Sequence, residues 1–363
     1  MSDEYKGGRI SFAAGSFMVK WELLNRHIGQ HPLNPQPGDD LNIFINLECV
    51  LRNLSMQKGL AYTLSFHKQE MVIELESSIL NLMAMYRTYF SKVRVCNVKM
   101  YFYITDLNDN DQQMQVYNKY YRSFYRNKYM KNPQFKPIGE LLNQVIIPEI
   151  ELILLYVPGC YLVKSKTFDS SIIPYIISTF SNSKNVIITG DAFDTLYLLN
   201  PNFITLYIKR RFQHFSIISD IDSSIQSIVK EESPFDLTIF RSEMYYRLLL
   251  AVKGSKIRNI QSSKGFGYGK LMNILKSGLS NGTVIHDFTS IDSIINIFPE
   301  NYRESIRSAF MCTSIDTQSD LLSDIDIDNI KSQIIDKSDM QSLEVLNARR
   351  FIEYPIDLNG LIQ

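Results

Sequence analysis

The sequence predicts an α/β fold built on a parallel sheet. From residue 41 onward, short runs rich in β-branched and aromatic residues alternate with longer stretches of helical periodicity. This alternation is typical of parallel strands joined by crossover helices. The chain has 363 residues, of which 45% are apolar and 21% are charged, a balance typical of globular proteins. A chain of this length predicts one large domain with appendages, or two domains.

Four short apolar runs are predicted to be strands: residues 42–45, 98–104, 152–157 and 186–189. Between the first two, apolar residues recur at roughly helical spacing over residues 68–90, which predicts a long helix. The sequence thus provides four candidate strands and a candidate crossover helix for the sheet.

The segments outside these strands have distinct patterns. A short amphipathic run over residues 17–28 is followed by a proline-rich stretch, so residues 1–40 are interpreted as an arm and linker. Residues 236–280 are predicted to be helical with a glycine-rich interruption, and residues 287–340 to be further helices. Residues 351–363 contain proline and glycine and are predicted to be an extended tail.

The composition restricts the partners and the location of the protein. The 38 basic residues balance 38 acidic residues, so a nucleic-acid surface has to come from local clustering. Widely spaced cysteines argue against a disulfide framework, and the polar N-terminus lacks the apolar core of a signal peptide. Prolines and glutamates interrupt the apolar stretch 145–163, so no membrane partner is expected. Frequent Ile, Asn and Tyr fit an AT-rich genome such as that of a phage or large DNA virus. A viral origin predicts that the protein is located in the cytoplasm of the infected cell or in the virion.

The most informative segment is residues 248–275, which contains Gly265, Gly267 and Gly269 followed by Lys270. Glycine lets a backbone approach phosphates without a Cβ clash. A Walker A loop would need glycine at Lys264 and Ser or Thr after Lys270, and a dinucleotide fingerprint would need glycine at Lys270. A plain glycine-rich turn between helices remains an alternative. Five cationic side chains nevertheless lie within this segment: Lys253, Lys256, Arg258, Lys264 and Lys270.

This segment resembles the helix-three-turn-helix of the flap endonuclease family of 5′ nucleases. In that family a Gly-Asp-x-Ser-Asp-Asn-Ile element precedes a Gly-x-Gly-x-Lys hairpin. Gly254, Asn259 and Ile260 match the first element, and the three glycines with Lys270 match the hairpin. The resemblance implies that the hairpin binds the phosphate backbone of duplex or branched DNA through backbone N–H groups and a monovalent cation such as K⁺.

The resemblance covers about residues 41–280 and implies a PIN-like parallel sheet flanked by helices, with a helix-three-turn-helix (helix-hairpin-helix) subdomain. It divides the chain into four parts: an arm and linker over 1–40, a PIN-like nuclease-type domain over 41–235, the helix-three-turn-helix subdomain over 236–300, and a helical C-terminal extension and tail over 301–363.

Family members hydrolyse phosphodiesters with two divalent ions held by many carboxylates. Asp106, Asp191 and Asp194 match the family's metal-binding positions, although Asp194 falls one residue late. The resemblance implies that these three side chains are metal ligands. Neutral or cationic residues stand at the other carboxylate positions: Asn46, Ser170, Ser171, Ser255 and Arg258.

Loss of this negative charge predicts a weak or absent two-metal site, with at most one Mg²⁺ retained. We therefore expect a degenerate nuclease that binds nucleic acid or serves as a structural subunit of a viral replication, transcription or virion assembly, with further protein partners. An alternative is an active metal-dependent 5′ nuclease acting on flap or nicked DNA, with Glu48, Asp106, Asp169, Asp191 and Asp194 acting together. Another is that Asp191 and Asp194 only cap the following helix. A third is a module that binds only proteins.

Residues 117–131 stand where the family has the arch that grips single-stranded substrate. Arg122 and Arg126 are predicted to contact phosphates, beside tyrosines and a phenylalanine able to stack on bases. The alternative is an amphipathic helix whose aromatic side chains face the core.

Two other patterns are weaker predictors of metal binding. His27 and His31 have the i, i+4 spacing of zinc ligands, but Gly29 and Pro32 make a continuous helix there doubtful. The aspartates at 324, 326 and 328 imitate the start of an EF-hand, yet Asn329 replaces its turn glycine, which favours a solvated helix face.

Overall fold

In the computed structural model, the described part of the chain consists of residues 19, 21–47, 49–50, 79–105, 144–145, 147–155, 157–165, 168–191, 193–211, 214–218, 220–229, 237–254, 263, 265–280, 291–313, 315 and 322–334.

A six-stranded sheet organises this part of the chain. Its strands are β1 (Asp40–Asn46), β2 (Asn97–Thr105), β3 (Cys160–Ser165), β4 (Lys184–Thr189), β5 (Phe203–Arg211) and β6 (His214–Ile218). Their order is β3-β2-β1-β4-β5-β6. The first five strands of this order run parallel, and β6 is antiparallel to β5. The predicted α/β class with a parallel sheet flanked by helices is therefore confirmed.

The numbered α-helices are α1 (Trp21–Gly29), α2 (Ile147–Leu154), α3 (Ile173–Thr179), α4 (Ile221–Val229), α5 (Glu243–Lys253), α6 (Tyr268–Ser280), α7 (Ile291–Ile295), α8 (Glu300–Met311) and α9 (Asp324–Ser332). A further helix over residues 79–88 continues into a π-helical turn, Tyr89–Val93. Short 3₁₀ turns span Ser170–Ile172, Asp194–Leu199 and Leu237–Arg241. Among the described residues, no helix combines the length and apolar character needed to cross a bilayer.

The strand predicted over residues 152–157 is wrong. These residues begin inside α2, and the strand forms later, as β3. The buried residues Ile150, Ile153 and Leu154 have helical i, i+3, i+4 spacing, whereas Leu152 is 39% exposed. Pro148 fits the first turn of the helix, where its missing N–H costs no hydrogen bond.

Each face of the sheet is covered by an apolar core. Side chains alternate between the faces along a strand, so Ile43 and Ile45 of β1 face one core and Phe44 faces the other. Residues of α1, of the helix over 79–88 and of α2 cover the first face. Residues of α3 and α9 cover the second face. There the rings of Phe44, Tyr101 and Tyr161 stack across three strands, with centroids 5.2 Å apart at each step.

A third core, here called the helical core, lies among α4 to α8. Seven of the eleven residues of α5 are buried, as expected for a helix surrounded by other helices. Phe193 and Leu196, which follow β4 in the chain, also belong to this core. The chain therefore passes from the sheet directly into the helical core.

The outer edge of β3 is covered by one side chain of the C-terminal region. The Lys164 N–H donates to Gln333 Oε1 at 2.8 Å, and Gln333 Nε2 donates to the Lys164 carbonyl at 3.0 Å. Gln333 Nε2 also donates to the Asn329 carbonyl of α9 at 3.0 Å. A single carboxamide thus occupies the pairing position of a neighbouring strand.

Candidate functional site

Polar side chains converge where β1, β2 and β4 end. Asn46 is the last residue of β1 and is the direct sheet partner of Tyr103 on β2. Thr189 is the last residue of β4, and Asp194 begins the 3₁₀ turn that follows. The carboxyl ends of parallel strands meet at one edge of a sheet, which is where α/β proteins place their sites.

The carboxylate of Asp194 is the centre of this cluster and is 0% exposed. Its Oδ2 accepts hydrogen bonds from the Thr189 hydroxyl at 2.6 Å and the Tyr103 hydroxyl at 3.1 Å. It also accepts a short hydrogen bond from Asn46 Nδ2. Three donors on one buried carboxylate oxygen satisfy a charge that would be costly to bury alone.

The orientation of Asn46 is fixed by a second hydrogen bond. Its Oδ1 accepts from the Cys49 N–H at 2.9 Å, so the amide nitrogen has to face Asp194. The resemblance places an aspartate at this position. An ionised aspartate could not donate to Asp194, whereas the amide present here does.

Tyr103 is a donor because its phenol stays protonated. Burial, and next the negative charge of Asp194, hold the pKa of Tyr103 well above its ordinary value. Its hydroxyl proton is therefore retained and directed at the carboxylate.

Asp191 has a different environment. It is 5% exposed, and its Oδ1 accepts from the Phe193 N–H at 2.9 Å. Its own N–H donates to the Thr189 hydroxyl oxygen at 3.0 Å. These contacts make Asp191 a turn-capping residue, as the capping alternative predicts. The carboxylate of Asp194, by contrast, bonds to side chains at the ends of three strands.

The Asp169 region is also a local cap. Asp169 Oδ1 accepts from the Ser171 N–H at 2.8 Å, and the Ser170 N–H donates to the Thr105 hydroxyl oxygen at 3.1 Å. The Tyr197 hydroxyl donates to the Ser171 carbonyl at 2.5 Å. The two serines stand at positions where the family places carboxylates, and here their backbones stabilise the turn before α3.

The described side chains do not fit a two-metal centre. Within these residues, no group of three or more His, Cys, Asp or Glu side chains lies close enough together to hold a metal ion. The three donors occupy Asp194 Oδ2, and one of them is the side-chain amide of Asn46. Glu48 and Asp106 lie outside the described residues, so the ligand set Asp106, Asp191 and Asp194 stays a prediction.

The predicted hairpin glycines flank the start of α6. Gly254, at the end of α5, and Gly265 have φ angles of 68° and 74°, which favour glycine. Residues 265–270 are here called the glycine loop, and Lys270 Nζ donates to the Gly265 carbonyl at 2.5 Å. Positions 255–262 and 264, which include Ser255, Arg258 and Lys264, lie outside the described residues.

Gly267 and Gly269 have no evident role in the packing of the described part of the chain. A Cβ added at either position would meet no described heavy atom within 4 Å, and neither has a positive φ. Their lack of a side chain leaves the backbone at the start of α6 open to close approach by another molecule.

The other predicted residues have varied outcomes. Arg122 and Arg126 lie outside the described residues, so their role stays a prediction. His31 Nδ1 accepts from the Leu33 N–H at 3.1 Å, which occupies one of its potential metal-binding atoms. Burial lowers the pKa of both His27 and His31. Asp326 forms a capping box with Ser323 at the start of α9, consistent with the solvated-helix interpretation.

Sequence reasoning missed Tyr103 and Thr189 as members of the carboxylate cluster. Both lie within apolar strands, where a tyrosine or threonine is normally a packing residue. The available signal was the position of the residues along the strands, because Asn46 and Tyr103 both stand near the ends of two predicted strands. Their pairing depends on the sheet register.

No family model matches the chain, and no curated protein matches it. Among solved structures, the chain is similar to human GEN1 in complex with Holliday junction DNA, with 14% sequence identity and a TM-score of 0.42. The match covers 90% of this chain and 72% of the GEN1 chain.

Proposed function

We propose that this chain is a catalytically impaired, flap-endonuclease-like protein that binds duplex or branched DNA without hydrolysing it. It serves as a nucleic-acid-binding or structural subunit of a viral replication, transcription or virion assembly. The fold class is shown by the sheet, and the finer assignment rests on the motifs and the carboxylate cluster.

The main support for the impairment is the environment of Asp194. Two divalent ions need several carboxylate oxygens facing one another. Here the Asp194 oxygen faces the Asn46 amide and the Thr189 and Tyr103 hydroxyls, all of which are donors. This carboxylate oxygen is therefore occupied by three hydrogen bonds at the place where a metal site needs it to face an ion.

The support for nucleic-acid binding is the glycine loop. Gly267 and Gly269 leave the backbone accessible at the start of a 13-residue helix, whose N–H groups favour anions such as phosphate. Lys270 adds a positive charge, and the proposed surface extends to Lys264, Arg122 and Arg126. A K⁺ ion at the hairpin belongs to the same proposal.

A nuclease assay tests the impairment. Purified protein is incubated with 5′-flap and nicked duplex DNA in Mg²⁺ or Mn²⁺, with Asp191→Ala as the control variant. We expect no cleavage by either protein. Cleavage by the wild type that is lost in the variant would support the active 5′ nuclease instead, and a single retained Mg²⁺ would then need to be considered.

A binding assay tests the DNA interaction separately. Gel shifts with duplex and branched DNA are measured at low and at moderate salt, for the wild type, Lys270→Glu and Lys276→Glu. Lys276 is exposed further along the same helix, so Lys276→Glu makes the same charge change away from the glycine loop. We expect only Lys270→Glu to weaken binding strongly. Undetectable wild-type binding at low salt would favour a module that binds only proteins.

A further inference from the structure

Residues 193–197, here called the clasp, connect the sheet, the core on its second face and the helical core. Asp194 bonds to the ends of β1, β2 and β4. The apolar side chains of the clasp pack into two different cores. Phe193 and Leu196 lie in the helical core, whereas Tyr197 lies in the core on the second face of the sheet.

The clasp also contacts α5 through a buried hydrogen bond. The Thr195 and Tyr246 hydroxyls form a short hydrogen bond, and both residues are 0% exposed. Tyr246 lies on α5, which ends at Lys253, and the glycine loop begins further along the chain at residue 265. Within the clasp, Asp194 is therefore bonded to the sheet and the next residue, Thr195, is bonded to α5.

The glycine loop is anchored in the same helical core. Phe266, between two loop glycines, is 2% exposed, and its ring packs against Phe298 and Tyr302 with centroids 5.6 Å and 5.0 Å away. Leu271 and Leu275 of α6 belong to this core as well. A shift of the helical core on the sheet would therefore move the glycine loop with it.

We propose that the clasp fixes the glycine loop relative to the sheet, and that Asp194 is a positioning residue for nucleic-acid binding. This inference rests on the proposed function, in which the loop contacts DNA together with residues of the sheet domain. Asp194 occupies a position related to a metal ligand, but its carboxylate acts through hydrogen bonds within the protein. Binding surfaces built from two units need this kind of rigid support.

Tyr246→Phe tests the clasp with little loss of packing, because it removes only the hydroxyl that meets Thr195. The matched control is Ile153→Ala, which destabilises α2 in the core on the first face of the sheet, a core that contains no clasp residue. DNA affinity is measured by fluorescence anisotropy at a temperature where circular dichroism shows every variant folded. We expect Tyr246→Phe to bind more weakly, by up to about fivefold, because one hydrogen bond is the most that the free protein can lose in holding the binding geometry. Ile153→Ala should bind like the wild type.

Hydrogen exchange gives a second measurement that does not require DNA. The Lys270 and Leu271 amides donate to the Gly267 carbonyl at 3.0 and 3.1 Å, so their exchange reports on the glycine loop. We expect faster exchange at these two amides in Tyr246→Phe and unchanged exchange in Ile153→Ala. Unchanged exchange in Tyr246→Phe would overturn the inference.

The two proposals fail in different ways. If the wild type binds DNA and Tyr246→Phe binds equally well, the clasp is not a positioning element, and the proposed function stands. If the wild type does not bind DNA, the proposed function fails, and the role of Asp194 in nucleic-acid binding fails with it.

Asp194→Asn should weaken DNA binding. The double exchange Asn46→Asp/Asp194→Asn should restore part of the binding, because it returns one carboxylate and one amide to the cluster. Absence of any such recovery would also count against a positioning role.

Discussion

Asn46→Asp places a second carboxylate directly against Asp194. Asn46 is 1% exposed and Asp194 is 0% exposed, and the two side chains are in hydrogen-bond contact. Two carboxylates at this distance cannot both ionise, so the folded variant has to bind one proton. The unfolded chain has no such requirement and releases its proton near the ordinary Asp pKa of about 3.9.

The size of the effect follows from linkage. The folded variant binds more protons than the unfolded variant, so its stability falls as the pH rises above about 4. Each pH unit corresponds to about 1.4 kcal/mol, so the loss reaches about 4 kcal/mol at pH 7 if the shared proton is still bound there. Near pH 4 the loss should almost vanish, because the introduced carboxyl then donates to Asp194 as the amide did.

Urea denaturation followed by circular dichroism at pH 4.5, 5.5 and 7 measures this dependence. The control is the double exchange Asn46→Asp/Asp194→Asn, which contains one carboxylate and should show a much smaller pH dependence. A single variant as stable as the wild type at pH 7 would show that position 46 does not face Asp194. The hydrogen-bond account of the cluster would then be wrong.

Three further predictions concern single side chains. The pKa of Tyr103 is raised in the fold, so the wild type should lose stability as the pH rises above about 10. Tyr103→Phe should lower the free energy of unfolding by about 2 kcal/mol at pH 7. In denaturation curves it should also lose less stability than the wild type at alkaline pH. Gly265→Ala should cost about 1 kcal/mol because of its positive φ, whereas Gly267→Ala should keep its melting temperature and weaken DNA binding. Gln333→Ala should speed amide exchange at Lys164 about tenfold and leave Val163 unchanged, since the Lys164 N–H donates to Gln333 whereas Val163 pairs with Tyr103 of β2.

The sequence predicted the centre of the sheet well and its edges poorly. The runs at 42–45, 98–104 and 186–189 are buried strands with strong β-forming residues, and each coincides with a strand of the structure. The error at 152–157 arose because a short apolar run fits a helix as well as a strand. Strands β5 and β6 were not predicted, although both are rich in β-branched and aromatic residues; the basic residues at the end of β5 lie between the two apolar runs.

The candidate site could be predicted only in its local part. The turn-capping contact of Asp191 is local, because its partner Phe193 lies two residues away in the chain. The partners of Asp194 on β1 and β2 lie 148 and 91 residues away in the chain. Their contact depends on the parallel register that pairs Asn46 with Tyr103, and the register cannot be derived from residue types alone.

The covered edge of β3 has a practical consequence for anyone shortening this protein. A version ending at residue 313 would lack both α9 and Gln333, and would present the Lys164 backbone groups to neighbouring molecules. Exposed strand edges pair readily with one another and lead to insoluble aggregates. We therefore expect the solubility of the sheet half to depend on a few residues almost 170 positions further along the chain.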